Sequence, residues 1–476
     1  MMRQPKVGAA QSSPTLPSPA QGVRWTTPIV ETPGIVVLGS WIWRFVRFLV
    51  TLPFRFPVMV AVLTASVASW WWLDWPGLAA LWGLAAAVSL VWWRAWPDNY
   101  RTWVTLRLLA WWRHVFVYRR HWQPVLVISG LAESYQERRY LPRIRRVSCN
   151  VWADYVRVTL VAGTAPADFE TRVVELAHGF QAPSCRVVVN GPRDVTLEFP
   201  RHDTLADPLD AFPMTHHVEL SALPVGKRED GSPWLLRLHG THVLVVGVTG
   251  AGKGSVLWSA IRAMLPALAD GTAQVWAIDP KRMELAYGRD LFAYYADTGE
   301  SAVALLERAV ADMQDRAERY AGKQRSHIPT AADPFVVVLL DEVAFLTAYH
   351  PDRDVRRRAE TAIATLTSQG RSVGSSVLAA LQDPRKEVMN LRNLFPDKVA
   401  LRLDEASQVD MVLGEGARHR GANAHLIDPS LPGVAYVRME TSPAPVRVRA
   451  AYVSDDDITA MSNAYGSVSF SGGESS

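Results

Sequence analysis

Two long apolar stretches lie near the beginning of the chain, separated by Asp74 alone. Neither residues 56–73 nor residues 75–93 contain a charged side chain. Folded as a helix, each stretch is about long enough to cross the ~30 Å hydrocarbon core of a bilayer. We therefore expect an N-terminal two-helix transmembrane region. A soluble helical hairpin rich in tryptophan is the alternative.

Tryptophan and arginine surround this pair of stretches in a way that is typical of membrane proteins. Fifteen of the 19 tryptophans precede Gln123, and several lie at the ends of the two stretches, where indole rings favour the headgroup region. Residues 1–130 hold twelve Lys and Arg against three acids, whereas the rest of the chain holds 38 against 43. Because arginines flank both outer sides of the pair, the positive-inside rule predicts a multi-pass protein of the cell membrane with both termini cytoplasmic.

Weaker patterns surround the two predicted spans. Residues 1–33 begin with a segment rich in Pro, Ser, Gln and Gly, which predicts a disordered tail and not a cleaved signal. Residues 34–52 are apolar but contain Arg44 and Arg47, which favours a helix at the membrane interface. The membrane region as a whole is expected over residues 34–122, and it ends with a basic, aromatic helix at 103–118.

The pattern after residue 122 changes to short apolar runs that are typical of strands. Strands are expected at residues 125–128, 155–161, 185–189 and 195–199, with a helix at 167–179. These elements predict a small α/β domain over residues 123–222. Its dense basic run, five arginines between Arg138 and Arg146, indicates either a solvated or lipid-facing surface or a nucleic-acid contact.

Residues 223–460 alternate buried strands with amphipathic helices, followed by a flexible tail at 461–476. Strands are expected at residues 242–246, 274–278, 335–340 and 376–381, and helices at 256–268 and 302–320. This alternation predicts a parallel, doubly wound α/β domain.

A glycine-rich sequence, GVTGAGKGS, joins the strand at 242–246 to the helix that follows. Glycines permit positive φ and close backbone approach, so successive N–H groups face a phosphate, and the start of the helix adds its dipole. Lys253 supplies a positive charge to the β- and γ-phosphates. The predicted ATP-binding residues are Gly247, Thr249, Gly250, Ala251, Gly252, Lys253, Gly254 and Ser255.

The metal-binding position of this loop departs from the usual G-x-x-x-x-G-K-[ST] pattern. Gly254 stands where the hydroxyl that binds Mg²⁺ is expected, and Ser255 follows one place later. Either Ser255 binds the metal through a shifted helix start, or water and Asp341 bind it.

Two acids, Asp341 and Glu342, directly follow the apolar run at 335–340, at the strand end where ligands bind in open α/β sheets. Adjacent residues at a strand end point in opposite directions, which separates their roles. Asp341 is placed to bind Mg²⁺, and Glu342 is placed to orient and deprotonate the attacking water. These residues, with Lys253, predict a RecA-like P-loop ATPase domain that uses ATP and Mg²⁺.

Three further residues are candidates for the catalytic site. Gln382 follows the strand at 376–381 and is a candidate sensor of the γ-phosphate, although an ordinary strand-end glutamine is the alternative. Arg371 and Arg385 lie on either side of that strand. Ring-shaped ATPases often complete each site with an arginine from the neighbouring subunit, and either residue fits that role.

Taken together, these motifs resemble the FtsK/SpoIIIE family of membrane-anchored DNA translocases. The matching residues are 225–227, 247–255, 278–281, 315–320, 339–342, 370–372, 378–382, 445–448 and 452–456. The GAGKGS variant and the compact size are most similar to actinobacterial conjugative transfer proteins (Tra/TraB-like). Gln408 replaces an arginine of the chromosome translocases, and only 22 residues follow Ser454, so we do not expect sequence-directed polarity.

The resemblance implies a hexameric ring that encloses double-stranded DNA and hydrolyses ATP at subunit interfaces. The residues themselves indicate a membrane-anchored ATPase and do not indicate DNA. To neutralise the phosphates of DNA, the channel would need a local basic lining, whereas the ATPase half of the chain is net acidic. Conjugative transfer of a plasmid or integrative element is the main hypothesis. The alternatives are chromosome partitioning in cell division, a type VII-like protein-secretion ATPase, and a coupling protein for single-stranded conjugative DNA.

Overall fold

The computed structural model describes residues 57–135, 138–213, 218–385 and 390–466. The chain divides into two compact units, residues 1–97 and residues 98–476. The predicted tail at 1–33 and the predicted interfacial helix at 34–52 lie outside the described residues.

Helix α1, Pro57–Ala95, forms the described part of the first unit and is interrupted at Asp74. Asp74 has a φ of 54°, which a right-handed helix does not allow, and Pro76 suits the first turn of the segment that follows. Among the described residues, Asp74–Ala95 is the one helix that is long and apolar enough to cross a membrane, with a mean hydropathy of 1.5. The second predicted span is thus an apolar helix of sufficient length, whereas the first stays a prediction.

A helical run opens the second unit. It comprises α2 (Pro97–Tyr100), α3 (Leu106–Arg113) and α4 (Arg119–Ile128), connected by the π-helical turns Arg101–Thr105 and His114–Tyr118. The predicted strand at 125–128 is wrong, because these residues end α4, where Leu126 is buried one turn after buried Trp122. A short apolar run fits a buried strand and a buried helix equally well, so the pattern alone does not separate them.

A small antiparallel sheet follows the helical run. Before the sheet, β1 (Glu133–Tyr135) and β2 (Arg138–Tyr140) pair with each other. The strands of the sheet are β3 (Arg143–Cys149), β4 (Ala153–Thr159), β5 (Arg186–Gly191) and β6 (Asp194–Pro200). Two helices, α5 (Pro166–Glu170) and α6 (Val173–Gly179), lie between β4 and β5 in the chain. The four strands pair in the order β3-β4-β6-β5. The helix predicted at 167–179 is therefore two short helices. The rings of Phe169, Phe180 and Phe199 lie in a hydrophobic cluster that belongs to this sheet.

One buried acid joins this sheet to the helical run. Asp154 on β4 is fully buried and accepts hydrogen bonds from the Tyr118 hydroxyl at 2.8 Å and from Nε of Arg201 at 2.9 Å. Arg113 on α3 also pairs with it. The carboxylate is thus compensated by two guanidinium groups and a hydroxyl, as a buried charge must be.

The larger sheet has ten strands. They are β7 (Leu223–Arg228), β8 (Pro233–Leu236), β9 (Val243–Val246), β10 (Ala273–Ile278), β11 (Tyr294–Ala296), β12 (Phe335–Leu340), β13 (Ser375–Leu381), β14 (Asp397–Ala400), β15 (Val434–Met439) and β16 (Ser442–Ala450). Their order is β11-β10-β12-β13-β9-β14-β15-β16-β7-β8. In this order the six strands from β11 to β14 are parallel, as predicted. The four strands from β15 to β8 are added by antiparallel pairing. The link between β15 and β16 is too short for the crossover that a parallel pair needs, so the two form a hairpin.

Helices cover both faces of this sheet. They are α7 (Lys253–Ala269), α8 (Gly299–Tyr320), α9 (Arg353–Gln369), α10 (Ala406–Leu413) and α11 (Asp455–Tyr465). The apolar sides of α8, α9 and α10 pack in one core cluster, and those of α7 and α11 pack in the other. Because α11 continues to Tyr465, the flexible tail predicted from residue 461 is wrong for residues 461–465, and residues 467–476 lie outside the described residues.

Candidate nucleotide-binding site

The glycine-rich loop connects the end of β9 to the start of α7, as predicted. Gly250 and Gly252 have φ values of 74° and 94°, which L side chains rarely adopt. A Cβ on Gly252 would also overlap with the backbone of Gly433. Neighbouring strands hold the beginning of the loop, since the Gly247 amide donates to the carbonyl of Leu381 at 3.0 Å. The loop backbone is therefore fixed by contacts with β13 and with the turn that precedes β15.

Lys253, the first residue of α7, is folded back under the loop. Its Nζ donates to the carbonyl of Gly247 at 2.7 Å and to that of Val248 at 3.3 Å. Burial lowers the pKa of Lys253 despite the neighbouring acids. Thr249 and Gly250, at the tip of the loop, are exposed to solvent. The loop thus presents an open tip above a half-buried ammonium group.

Asp341 and Glu342 lie at the same edge of the sheet as the loop. Their strand, β12, is separated from β9 only by β13. Asp341 is 8% exposed, and burial raises its pKa to about 7, with further contributions from Asp279 and Glu284. The Asp341 amide donates to the carbonyl of Ile278, which joins the ends of β12 and β10. This edge therefore concentrates carboxylates in a poorly solvated place.

Glu342 is 5% exposed and incompletely paired. Its Oε2 accepts from Nζ of Lys281 at 3.2 Å, whereas its Oε1 is buried without a hydrogen-bond partner among the described residues. A buried, unpaired carboxylate oxygen is costly, so its position suggests a ligand or water that it orients.

The carboxylates fit a metal that arrives with a nucleotide better than a metal held by protein alone. No group of three or more His, Cys, Asp or Glu side chains in the described part of the chain is arranged to hold a metal ion. Mg²⁺ at phosphate sites is typically held by one or two carboxylates together with phosphate oxygens and water. The acids beside the loop and the unpaired Oε1 of Glu342 match that arrangement.

The remaining sequence-predicted residues fall in different places. Gln382 follows β13 and is half-buried, between the loop and the two acids. Ser255 lies in the first turn of α7 and is half-buried. Arg371 precedes β13, so it lies at the opposite edge of the sheet, where it donates to Glu440 and to the carbonyl of Gly240. Arg385 is paired with Asp383, next to it on the surface.

Two residues near the site carry roles that sequence reasoning did not assign. Lys281 pairs with Glu342, and the carboxylate of Glu284 lies against Gly254. The sequence signal was a lysine and an acid within six residues of the end of β10. Because β10 is one of the parallel strands, the loop after it lies at the same edge of the sheet as the glycine-rich loop. The missing side chain at position 254 was the second signal.

The fold and the loop geometry define a P-loop nucleotide-binding protein. No family model matches the chain. Among curated proteins, the DNA translocase FtsK of Chlamydia trachomatis is 25% identical over 319 residues, which cover 60% of this chain and 38% of that protein. The DNA translocase FtsK of Bacillus cereus is 25% identical over 313 residues, with the same coverage. The resemblance to FtsK-type translocases is therefore confirmed, and the chain matches about 38% of the length of these relatives.

Among solved structures, the pCW3 conjugation coupling protein TcpA with ATPγS aligns with a TM-score of 0.47 and 16% identity. The alignment covers 72% of this chain and 98% of that chain. A part of the type VII secretion ATPase EccC of Thermomonospora curvata aligns with a TM-score of 0.40 and 22% identity, over 54% of this chain and 32% of that chain. TM-scores of this size do not distinguish a conjugation coupling protein from a secretion ATPase.

Proposed function

We propose that this chain is a membrane-anchored ATPase that translocates double-stranded DNA, and that it serves the conjugative transfer of a plasmid or integrative element. The observation that carries the proposal is the meeting of the glycine-rich loop with Asp341 and Glu342 at one edge of the parallel strands, where Oε1 of Glu342 is buried and unpaired. Such an edge binds a nucleotide and also orients a water molecule.

Each residue of the proposed site has a distinct role. The loop amides and Lys253 bind the phosphates of ATP, and Asp341, with Ser255 or water, binds Mg²⁺. The ion supplies charge neutralisation for the phosphates when it is bound. Glu342 orients the attacking water and accepts its proton, while Lys281 fixes the other carboxylate oxygen.

The proposed site is completed by residues that respond to the γ-phosphate or come from a neighbouring subunit. Gln382, which follows the strand between those that carry the loop and the acids, is proposed to sense the γ-phosphate. Arg371 is proposed as the residue that reaches the site of the next subunit in a hexameric ring. Its partially exposed guanidinium would then exchange its bond to Glu440 for the phosphate of the neighbour.

The proposed membrane anchor comprises residues 34–122, with two spans at about 56–73 and 75–93 and both termini in the cytoplasm. The apolar helix Asp74–Ala95 supports one span. In the helical run that follows, Trp103, Trp111 and Trp112 are exposed beside arginines, which suits the headgroup region of the bilayer. The small domain at 123–222 and the ATPase domain at 223–460 would lie on the cytoplasmic side.

DNA as the substrate is supported by the sequence relatives, which are named DNA translocases. The test is the ATPase rate of the full-length chain in detergent, alone and with long duplex or single-stranded DNA. We expect duplex DNA to stimulate hydrolysis strongly and single strands to have little effect. Stimulation by single strands alone would indicate a coupling protein for single-stranded DNA, and indifference to both would favour a secretion ATPase. The variant Glu342→Gln, measured in parallel, reports contaminating ATPases.

A further inference from the structure

The first turn of α7 lacks a side chain at the position where phosphate-loop proteins usually bind their metal. Gly254 is the second residue of this helix, and the usual serine or threonine at that position binds Mg²⁺ through its hydroxyl. Ser255 does not simply replace it, because consecutive residues in a helix point about 100° apart. Something else must therefore supply the missing oxygen, or water does.

The carboxylate of Glu284 occupies the space that this missing side chain leaves. A Cβ built on Gly254 would overlap with Oε1 of Glu284 and would lie 2.8 Å from its Cδ and 3.2 Å from its Oε2. A carboxylate oxygen of Glu284 therefore lies in the space that the side chain of a serine at 254 would occupy. Glycine at this position is thus what admits the glutamate.

The loop that carries Glu284 is fixed from both ends. Asp279, fully buried at the end of β10, accepts from the amides of Arg282 and Leu285, each at 2.9 Å. Leu285 is itself fully buried in the core beneath the sheet. On the other side, the indole of Trp258, one helical turn after Gly254, lies beside the carboxylate and stabilises its charged form. Glu284 is therefore a positioned side chain and not a mobile surface acid.

Acids outnumber cations among the groups that interact electrostatically with Glu284, which are Asp279, Asp341 and Asp455 against Lys253. Asp341 and Lys253 both lie within electrostatic reach of it, and burial raises the pKa of Glu284 while Asp279 adds to the effect. A second observation comes from the same edge of the sheet, where Glu342 is 5% exposed and its Oε1 is unpaired in the described structure. A divalent cation beside the phosphates would offset the charge of Glu284 and Asp341, and Oε1 of Glu342 would remain available for a water molecule.

We propose that the Glu284 carboxylate replaces the phosphate-loop hydroxyl and, together with Asp341, holds the Mg²⁺ of the bound nucleotide. The inference rests on the proposed function, since it assigns a residue to the same site. It predicts that residues 254 and 284 act as a pair, so that serine at 254 requires removal of the glutamate.

The test measures metal binding in the full-length chain in detergent, by the electron paramagnetic resonance of Mn²⁺ with ATPγS. ATPγS affinity in EDTA reports the nucleotide site without metal. We expect Glu284→Ala and Glu284→Gln to weaken Mn²⁺ binding by about 10- to 100-fold and to leave the affinity in EDTA unchanged. Gly254→Ser alone should also weaken Mn²⁺ binding, because its Cβ overlaps with the carboxylate of Glu284. The double variant Gly254→Ser/Glu284→Ala should recover it.

Glu318→Ala, which removes an exposed acid on α8, is the matched control and should behave as the wild type. Wild-type Mn²⁺ affinity in both Glu284 variants would overturn the inference. Loss in those variants without recovery in the double variant would also overturn it, because the carboxylate would then not replace a hydroxyl. If the wild type itself binds no ATPγS, the proposed function fails instead.

Discussion

The two edges of the parallel strands differ in how their charges are balanced. At the amino edge, Glu440 accepts from Arg371 at 2.7 Å and from Arg237 at 3.1 Å. At the carboxyl edge, Lys253 donates to loop carbonyls. Glu342 pairs with Lys281 through Oε2, but its Oε1 is buried without a partner among the described residues. Charges that the fold pairs internally stabilise the fold, whereas charges that it leaves unbalanced indicate a ligand.

The difference has a physical origin in the topology. Parallel strands deliver their following loops to one edge, so the starts of helices and the ends of buried strands meet there. The helix start contributes partial positive charge and the strand ends contribute acids, which suits a phosphate with its metal. The amino edge receives the ends of helices and the turns that precede strands, and here arginines and acids pair across it.

The largest effect is expected at the carboxyl edge from Lys253→Ala. Removing the ammonium deprives the phosphates of their charged donor, so nucleotide binding should be lost at concentrations that saturate the wild type, and ATPase activity with it. Equilibrium binding of a fluorescent ATP analogue measures this. Lys323→Ala, at an exposed lysine after α8, is the control. Undiminished affinity in Lys253→Ala would remove the loop from the site.

Glu342→Gln should separate binding from hydrolysis at the same edge. The amide keeps the shape of the side chain but cannot accept the proton of the attacking water. Turnover should therefore fall by about 10²- to 10⁴-fold while ATP still binds. Phosphate release and analogue binding, measured on one preparation, give the two quantities. Unchanged turnover would mean that another group is the base.

At the amino edge, Arg371→Ala and Glu440→Gln together show whether Arg371 only pairs with Glu440 or also acts on the neighbouring subunit. Both changes break the same partly exposed ion pair, so each should lower the free energy of unfolding by up to about 1 kcal/mol. If Arg371 also acts on the neighbouring subunit, only Arg371→Ala lowers the ATPase rate per assembled ring. Equal ATPase rates in the two variants would restrict Arg371 to its pairing role.

A pH dependence of stability is expected from His242, just before β9. Its Nδ1 accepts from the Val377 amide at 3.0 Å, and burial, followed by the charge of Arg371, lowers its pKa to about 4. Between pH 6.5 and pH 4 the unfolded chain binds a proton that the folded chain refuses, so stability falls as the pH falls through this range. His242→Asn keeps an acceptor and should lose less thermal stability than the wild type between pH 7 and pH 5. His419→Asn, at an exposed histidine, should not reduce the loss.

The sequence predicted those parts of the site that local patterns specify. Strand β9, the glycine loop and Lys253 are contiguous, and Asp341 and Glu342 directly follow an unbroken apolar run, so no tertiary information was needed. Parallel strands at the core of the sheet were predictable for the same reason.

Other features depend on contacts between distant residues and were not predictable. The pairing of Arg371 with Glu440 and the seating of Glu284 against Gly254 each require two loops to meet in space. The helix at 125–128 depends on which side of the apolar run packs against the small sheet. The four antiparallel strands at the far side of the sheet depend on a hairpin and on pairing between β16 and β7, far apart in the chain.

The most direct test of the contrast between the two edges is hydrogen–deuterium exchange of the full-length chain in detergent, with and without Mg²⁺ and ATPγS. The account predicts that the nucleotide protects the amides of residues 247–255 and of the segment that follows β12. It predicts no change at residues 237–242 and 370–374, at the amino edge of isolated protomers. Protection confined to the amino edge, while nucleotide is bound, would contradict it.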